Sequence, residues 1–282
     1  MKLVSFRRNG KDGFGAVAGD GVVDLSARLG GKYEDLRSVL KAGALDELRK
    51  AAAGHKADVA LSQITFLPVI ANPKKILCIG LNYHEHREET GRPTTAHPTI
   101  FVRFAESQVG HGQPMLRPKE SEQLDYEGEL AAIIGKGGRH IPAAEAYEHV
   151  AGYSCYNDGS VRDWQRHTSQ FTPGKNFVAS GGFGPWMVTT DEIGDVTKQT
   201  LVTRLNGQQM QRTTIDMMIF DIPALIAYIS TFTPLKPGDV IVTGTPGGVG
   251  HARKPQVFMK PGDVCEVEIS GIGTLRNPIA AA

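Results

Sequence analysis

Cysteine is scarce in this sequence, with only Cys78, Cys155 and Cys265 among 282 residues. An odd number at wide spacing provides neither a disulfide framework nor a CxxC zinc motif. We interpret the three as small buried thiols, since free cysteines are usually buried. This usage fits a reducing compartment, and we expect a cytoplasmic location.

Long apolar runs and an excess of one charge are also missing. No run approaches the roughly 18 residues needed to span a bilayer, and Met1–Arg8 lack the apolar core of a secretion signal. The formal net charge is +1 without a long block of one sign, which argues against a nucleic-acid surface. The sequence predicts that the chain binds neither membrane nor nucleic acid.

Nucleotide-binding motifs are absent as well: there is no GxGxxG after a strand and no GxxxxGK[ST]. Glycine is abundant, at 33 residues, and helical periodicity is sparse, which favours strands joined by turns. Because the strands do not alternate regularly with helices, a doubly wound α/β fold is disfavoured. We predict a mainly β, α+β fold. The Asn72-Pro73 turn is typical of a domain boundary. We predict that it divides the chain into a small N-terminal α+β domain, residues 1–71, and a second, strand-rich domain, residues 72–282.

The most informative segment is acidic. Asp125, Glu127 and Glu129 alternate with other residues and lead into the apolar run Leu130–Ile134. On one strand the three acids would share a face, where their repulsion needs a cation or solvent to compensate it. The pattern fits a metal site, and it also fits an exposed edge strand that uses charge to prevent edge pairing.

A second segment begins with Asn157-Asp158 at the predicted end of a strand. Asp158 could add a third carboxylate, and three such oxygens suit octahedral Mg²⁺ or Mn²⁺; the same residue could instead form an Asx turn or cap a helix. Arg162 and Gln165, three apart, would lie on one helical face. They could present a guanidinium and an amide to an anionic substrate.

Three further segments carry reactive or flexible residues. His86 and Glu89 are spaced i, i+3, which suits a general base oriented by a carboxylate or a charged surface turn. Lys175 lies between glycine and proline residues and could meet an enolate or remain on the surface. The glycine-rich run Thr243–Gly250 could approach a ligand closely or form a tight loop.

Taken in order, these segments resemble the fumarylacetoacetate hydrolase family over about residues 74–275. The family pattern NYxxHxxE is matched by Asn82, Tyr83, His86 and Glu89, and the pattern ExE by Glu127 and Glu129. The pattern NDxSxRDxQ is matched by Asn157, Asp158, Ser160, Arg162, Asp163 and Gln165. The family lysine is matched by Lys175, and the pattern TGTPxGVG by Thr243–Gly250. Departures occur at Arg103, where many members have lysine, and at Val178, where aspartate is common.

The resemblance implies a mixed β-roll catalytic domain in a homodimer, with Mg²⁺ or Mn²⁺ on Glu127, Glu129 and Asp158. It implies a small oxo acid as the partner, chelated through adjacent carboxylate and keto oxygens. It implies that His86, Glu89 and Lys175 are catalytic. It implies that the substrate is bound by Tyr83, Arg162, Gln165 and Thr245.

Our leading hypothesis is metal-dependent hydrolysis of a C–C bond in a 2,4-dioxo acid of the acylpyruvate, fumarylpyruvate or fumarylacetoacetate type, through an enolate, in the catabolism of aromatic or related carbon compounds. The alternative is an oxaloacetate-type decarboxylase or a 2-hydroxyhepta-2,4-diene-1,7-dioate or hydroxymuconate isomerase. A non-catalytic oxo-acid-binding protein is less favoured, because binding needs no base. A cupin is disfavoured because Glu89 follows His84 and His86 too closely. Residues 82–97 are predicted to close over the substrate as a lid.

Overall fold

The computed structural model describes residues 1–93 and 95–282. Its strands are Lys2–Arg8 (β1), Lys11–Ala18 (β2), Gly21–Asp24 (β3), Val59–Ala60 (β4), Thr65–Phe66 (β5), Ile76–Gly80 (β6), Thr99–Arg103 (β7), Gln108–Val109 (β8), Met115–Arg117 (β9), Leu124–Asp125 (β10), Gly128–Ile134 (β11), Val150–Asn157 (β12), Ser160–Val161 (β13), Gly181–Thr189 (β14), Thr200–Leu205 (β15), Gln208–Thr214 (β16), Val240–Val242 (β17), Val264–Ile269 (β18) and Gly273–Ala281 (β19). Its α-helices are Leu25–Arg28 (α1), Leu36–Lys41 (α2), Leu45–Ala52 (α3), His84–Thr90 (α4), Arg162–Gln165 (α5), Thr172–Lys175 (α6), Thr190–Ile193 (α7) and Ile222–Phe232 (α8). Short 3₁₀ turns cover Leu61–Gln63, Ala105–Ser107, Ala143–His149, Val196–Lys198, Ile215–Met217 and Gly250–Ala252.

Twelve strands form one mixed sheet. Its main path runs β4-β3-β2-β1-β14-β12-β11-β17-β6-β7, with β5 beside β1 and β8 beside β14. Pairing is parallel between β17 and β6 and between β14 and β8, and antiparallel in the other pairs of this sheet. A second sheet has the order β16-β15-β18-β19-β9, and β10 pairs with β13 alone. The prediction of a mainly β, α+β fold is confirmed.

The N-terminal segment extends the main sheet. β1 pairs with β14 in the register Lys2 to Val188 and Leu3 to Met187. Side chains of α2 share a hydrophobic cluster with the central strands, Leu36 and Val39 joining Ala131 and Ile133. The predicted N-terminal domain is thus continuous with the sheet of the catalytic part, and the division between residues 71 and 72 stays a prediction.

Strand β11 lies at the centre of the molecule and is buried along its whole length. Since side chains alternate across a strand, Leu130, Ala132 and Ile134 pack into a cluster with α8 and the second sheet. Ala131 and Ile133 face the cluster shared with the N-terminal helices. Burial on both faces explains the continuous apolar run in the sequence, and it fixes the strand that leads out of the acidic segment.

Helix α8 is the longest helix of the described chain, at 11 residues. Asp221 caps its N-terminus by accepting a hydrogen bond from the Ala224 N–H at 2.8 Å, and a proline follows within the first turn. Across residues 1–93 and 95–282, no helix combines the length and apolar character required to cross a membrane.

Candidate active site and metal centre

The acidic segment is not one continuous strand. Asp125 ends β10, which pairs with β13, whereas β11 begins at Gly128 and pairs with β12. The expectation that three acids share one strand face is therefore wrong. The Asp125 carboxylate instead accepts the backbone N–H groups of Gly250 at 2.8 Å and His251 at 2.9 Å. It also accepts Nε of Arg162 at 2.8 Å, so it serves as an anchor and is not a ligand.

The remaining acids converge as a carboxylate triad. Glu127, Glu129 and Asp158 are buried, and one oxygen of each lies within 4.8 Å of the others. Asp158 is brought to the pair by its backbone, because its N–H donates to the carbonyl of Glu127 at 2.8 Å. In return, the N–H of Glu127 donates to Oδ1 of Asn157 at 3.1 Å. The geometry brings together the three residues predicted as metal ligands.

Three buried cations contact this triad. Lys175 Nζ lies 2.6 Å from both Glu127 Oε2 and Asp158 Oδ2. Arg162 Nη1 lies 2.7 Å from Glu127 Oε1. Arg103 Nη1 lies 2.6 Å from Asp158 Oδ1 and also donates to the carbonyl of Gly159. The role of Arg103 was missed, although its departure from the family lysine was the available signal.

These charges separate the two glutamates. Burial acts to raise the pKa of Glu127, but the charges of Lys175 and Arg162 outweigh it and hold that pKa well below its usual value. Glu129 has no ion-pair partner within the described residues, and its Oε2 accepts only the N–H of Gly244, at 2.6 Å. Burial and the neighbouring charges of Asp158 and Glu127 raise the pKa of Glu129 well above its usual value.

The triad therefore fits a hard divalent cation. Four buried carboxylates face three buried cations, so one negative charge would be in excess if all four carboxylates were ionised. The carboxylates are Asp125, Glu127, Glu129 and Asp158, and the cations are Arg103, Arg162 and Lys175. An all-oxygen donor set is the one that Mg²⁺ and Mn²⁺ prefer. A bound divalent ion would favour the ionised form of Glu129, and the site with all four carboxylates ionised would then carry a single net positive charge, which suits an anionic substrate.

The His–Glu pair lies on α4, so the two side chains are about one helical turn apart, as their i, i+3 spacing predicted. His86 Nδ1 lies 2.7 Å from Glu89 Oε1. Glu89 Oε2 accepts the N–H of Gly248 at 2.8 Å, which ties the helix to the glycine-rich loop. A carboxylate at Nδ1 favours the Nδ1–H tautomer and leaves Nε2 with the lone pair.

Two glycines of the loop approach the site closely. Gly244, at φ +107°, donates its N–H to Glu129, and a Cβ there would lie 2.6 Å from Cβ of Asn82. Gly248, at φ +101°, donates to Glu89, and a Cβ there would lie 2.3 Å from the carbonyl oxygen of Met210. Both positions combine the left-handed region with a close contact, so both require glycine.

Gln211 was missed by the sequence analysis. Its Oε1 accepts the N–H of Gly128 at 3.0 Å, and its Nε2 donates to Thr245 Oγ1 at 2.8 Å. Thr245 Oγ1 donates in turn to the carbonyl of Gly128 at 3.0 Å. Gln211 therefore joins the acidic segment to the loop, from a strand whose local pattern carries no signal for it.

A cavity of about 580 Å³ opens over the triad. It is lined by most of the predicted site residues: His86, Glu127, Glu129, Arg162, Gln165, Lys175 and Thr245. Glu89 and Asp158 lie behind this wall, hydrogen-bonded to His86 and Lys175.

Tyr83, which was predicted to bind substrate, does not line this cavity, and its role in binding stays a prediction. Its backbone bridges to Met218, and its buried side chain lines a smaller cavity together with His84 and Glu85. Burial and the nearby charge of Glu129 raise the pKa of Tyr83. The predicted lid, residues 82–97, includes Thr94, which lies outside the described residues, and its closure stays a prediction.

A buried carboxylate triad beside a His–Glu pair, on a fold of this kind, defines an enzyme that works with a divalent metal. The family model described as fumarylacetoacetate (FAA) hydrolase, C-terminal, matches residues 75–280. The chain belongs to the fumarylacetoacetate hydrolase family.

Relatives within this family differ in activity. The chain is 39% identical over 287 residues to the mitochondrial oxaloacetate tautomerase of Xenopus laevis, covering 99% of this chain and 90% of that one. The fumarylacetoacetate hydrolase of Exiguobacterium antarcticum has 34% identity and a TM-score of 0.85, with both chains covered completely. The maleylpyruvate hydrolase of Sphingobium sp. SYK-6, solved with manganese(II) and pyruvate, has 26% identity and a TM-score of 0.84, also with complete coverage.

Proposed function

We propose that this chain is a divalent-metal-dependent tautomerase that interconverts the enol and keto forms of an oxaloacetate-type 2-oxo acid. The observation that carries the proposal is the His86–Glu89 pair, which presents a basic nitrogen in the same cavity as the carboxylate triad. Full-length similarity to an oxaloacetate tautomerase supports the same chemistry.

The triad residues Glu127, Glu129 and Asp158 would hold Mg²⁺ or Mn²⁺, which as a Lewis acid would polarise the carboxylate and keto oxygens of the substrate. The manganese in the related maleylpyruvate hydrolase structure supports a divalent ion of this kind. The charges of Lys175 and Arg162 hold the pKa of Glu127 below its usual value, so this carboxylate stays ionised in the absence of metal.

The residues proposed to transfer the proton, His86 and Glu89, lie on helix α4. In the enol-to-keto direction His86 Nε2 would take the proton of the enol hydroxyl and deliver it to the neighbouring C3 carbon, with the reverse transfers in the opposite direction, and Glu89 would stabilise the imidazolium that forms between the two transfers. Glu89 is itself held by Gly248, so the imidazole keeps its orientation between the two half-reactions. A single base therefore suffices for a reversible tautomerisation.

The buried cations account for substrate orientation. Arg162 Nη2 is buried and has no hydrogen-bond partner within the described residues, so it is available to a substrate carboxylate. Lys175 has three N–H donors, and Glu127 and Asp158 take two of them. The third is available to negative charge developing on the substrate oxygen, a contribution typically of about 2.7–4 kcal/mol. Gln165 and Thr245 complete the cavity wall.

Hydrolysis of a C–C bond in a 2,4-dioxo acid is the second candidate. The cavity of about 580 Å³ lies within the range of roughly 300–1,000 Å³ found for drug-sized ligands, and it offers more room than a four-carbon acid needs. In this reaction His86 would take its proton from water. The resemblance to a maleylpyruvate hydrolase supports this alternative.

The experiment presents the enol of oxaloacetate to the enzyme with Mn²⁺ and follows its ultraviolet absorbance, with acylpyruvates tested in parallel for release of pyruvate. Metal-dependent acceleration of enol loss, abolished in Glu127→Gln, is expected. Pyruvate release from acylpyruvates without tautomerase activity would select the hydrolase. Failure of both reactions, with metal bound, would refute the proposal.

Two further proposals concern the setting of the enzyme. We expect a homodimer, which light scattering on the purified chain tests. The cytoplasmic location is proposed from the cysteine usage, whereas the Xenopus relative carries the name of a mitochondrial protein; imaging of the tagged full chain distinguishes the two.

A further inference from the structure

The outer wall of the main cavity is rich in positive charge. Arg92 follows α4, Arg166 follows α5, and both line the cavity together with His251. These residues come from three separate parts of the chain. Arg162 and Lys175 line the same cavity next to the triad, so the cationic wall continues from the triad outward.

The inner and outer cations differ in how they are neutralised. Arg162 pairs with Asp125 and Glu127, and Lys175 pairs with Glu127 and Asp158. Within residues 1–93 and 95–282, no carboxylate lies at ion-pair distance from Arg92 or Arg166. The outer pair therefore carries positive charge that no described acid offsets.

The outer cations also act on one another. Partial burial, followed by repulsion from Arg162 and Arg92, lowers the pKa of Arg166. An anion placed between these side chains would relieve this repulsion, and two planar guanidinium groups provide the donor geometry that a carboxylate accepts.

His251 adds a neutral donor. Gln256 Nε2 lies 3.1 Å from His251 Nδ1 and donates to the carbonyl of the same residue at 2.9 Å. Because an amide nitrogen only donates, Nδ1 is the acceptor and Nε2 carries the hydrogen. Burial and repulsion from Arg166 and Arg162 lower the pKa of His251, which keeps the ring neutral.

We propose that Arg92 and Arg166, assisted by His251, form a second anion subsite that binds the distal carboxylate of the substrate. The subsite would select dicarboxylic 2-oxo acids over monocarboxylic ones. This inference rests on the proposed function in one respect, because it takes the substrate to be a 2-oxo acid whose reacting end lies at the triad.

Binding measurements test the subsite without relying on turnover. Calorimetry on the Mn²⁺-loaded protein compares oxaloacetate, 2-oxoglutarate and 2-oxoadipate with monocarboxylic 2-oxo acids of the same chain length. Oxalate, which has no distal group, reports on the inner site alone. We expect at least one dicarboxylate to bind about tenfold more tightly than its monocarboxylic counterpart, a difference of about 1.4 kcal/mol, and the preference to shrink at high salt.

The variants Arg166→Gln and Arg92→Gln should each reduce this preference severalfold and leave the affinity for oxalate unchanged. Arg8→Gln, an exposed arginine at the end of β1, is the matched control for loss of one charge and should change neither. Equal binding of dicarboxylates and monocarboxylates, or an unchanged preference in both variants, would overturn the subsite while oxalate binding keeps the proposed function intact. Loss of oxalate binding in the unmodified protein would instead count against the proposed function.

Discussion

Replacing Glu127 by glutamine should destabilise the metal-free protein, whereas replacing Glu129 by glutamine should not. Glu127 neutralises Lys175 and Arg162, and removing one partner of a buried ion pair typically costs about 3–5 kcal/mol. Both cations keep a second carboxylate, so we expect a loss near 3 kcal/mol for Glu127→Gln. Glu129 has no such partner, and glutamine can still accept the Gly244 N–H. We therefore expect Glu129→Gln to leave the unfolding free energy unchanged or to raise it.

The pH dependence follows from the same charges. The pKa of Glu129 in the folded protein is raised from its usual 4.5, so folding takes up a proton and the free energy of unfolding falls as the pH rises above that value. The free energy of unfolding of Glu129→Gln should not fall in this way, because glutamine does not titrate. The difference in unfolding free energy in favour of the variant should therefore grow from pH 5 to pH 8. The raised pKa thus makes the metal-free protein less stable at neutral pH and readies the site for a cation.

Urea unfolding in EDTA and in excess Mn²⁺, at several pH values, measures these differences. At a metal concentration 100 times Kd the unmodified protein should gain about 2.7 kcal/mol, and both variants should lose most of that gain. Equal destabilisation of the two variants in EDTA would refute the charge arrangement. A metal-induced gain that survives in both would refute the triad as the metal site.

Three further predictions concern other parts of the site and the surface. His86→Asn should lower kcat by about 10²–10⁴-fold, with the Mn²⁺ affinity from calorimetry unchanged, and Glu89→Gln should lower kcat less; loss of metal binding in either would contradict the assigned base. Asp125→Asn should cost about 3 kcal/mol in urea unfolding, because Arg162 and the backbone at Gly250 lose a buried carboxylate; a loss below 1 kcal/mol would show that the anchor contributes little. Phe104, which is 52% exposed, should lie in the dimer interface, so Phe104→Asp should shift the light-scattering mass toward the monomer, and an unchanged mass would place the interface elsewhere.

The parts of the site that were predicted from the sequence are those formed by residues close together in the chain. The pairing of His86 with Glu89 follows from helical spacing, and Glu127 and Glu129 follow from alternation before a buried strand. The break between β10 and β11 was not predictable, because it depends on Asp125 finding distant backbone donors at Gly250 and His251.

The contacts of Gln211 and Arg103 with the site were not predicted, for a similar reason. Gln211 and Arg103 reach the site from strands far away in sequence, so only the tertiary structure reveals their partners. Tyr83 shows the converse: its motif neighbours His86 in sequence, but its backbone bridge to Met218 directs it into a different cavity. The motifs predicted most of the residues that line the cavity, but they did not predict the contacts that each residue makes.

Because β11 is buried on both faces, the carboxylate triad lies beside a more buried element than the helix that carries His86 and Glu89. The carboxylates adjoin a strand whose every residue is buried, and buried core strands are typically among the elements with the highest free energy of local opening. His86, the proposed base, lies on a helix of seven residues with four exposed positions. We therefore expect ligands to enter and leave through small movements of α4, while the spacing of the carboxylate oxygens stays constant.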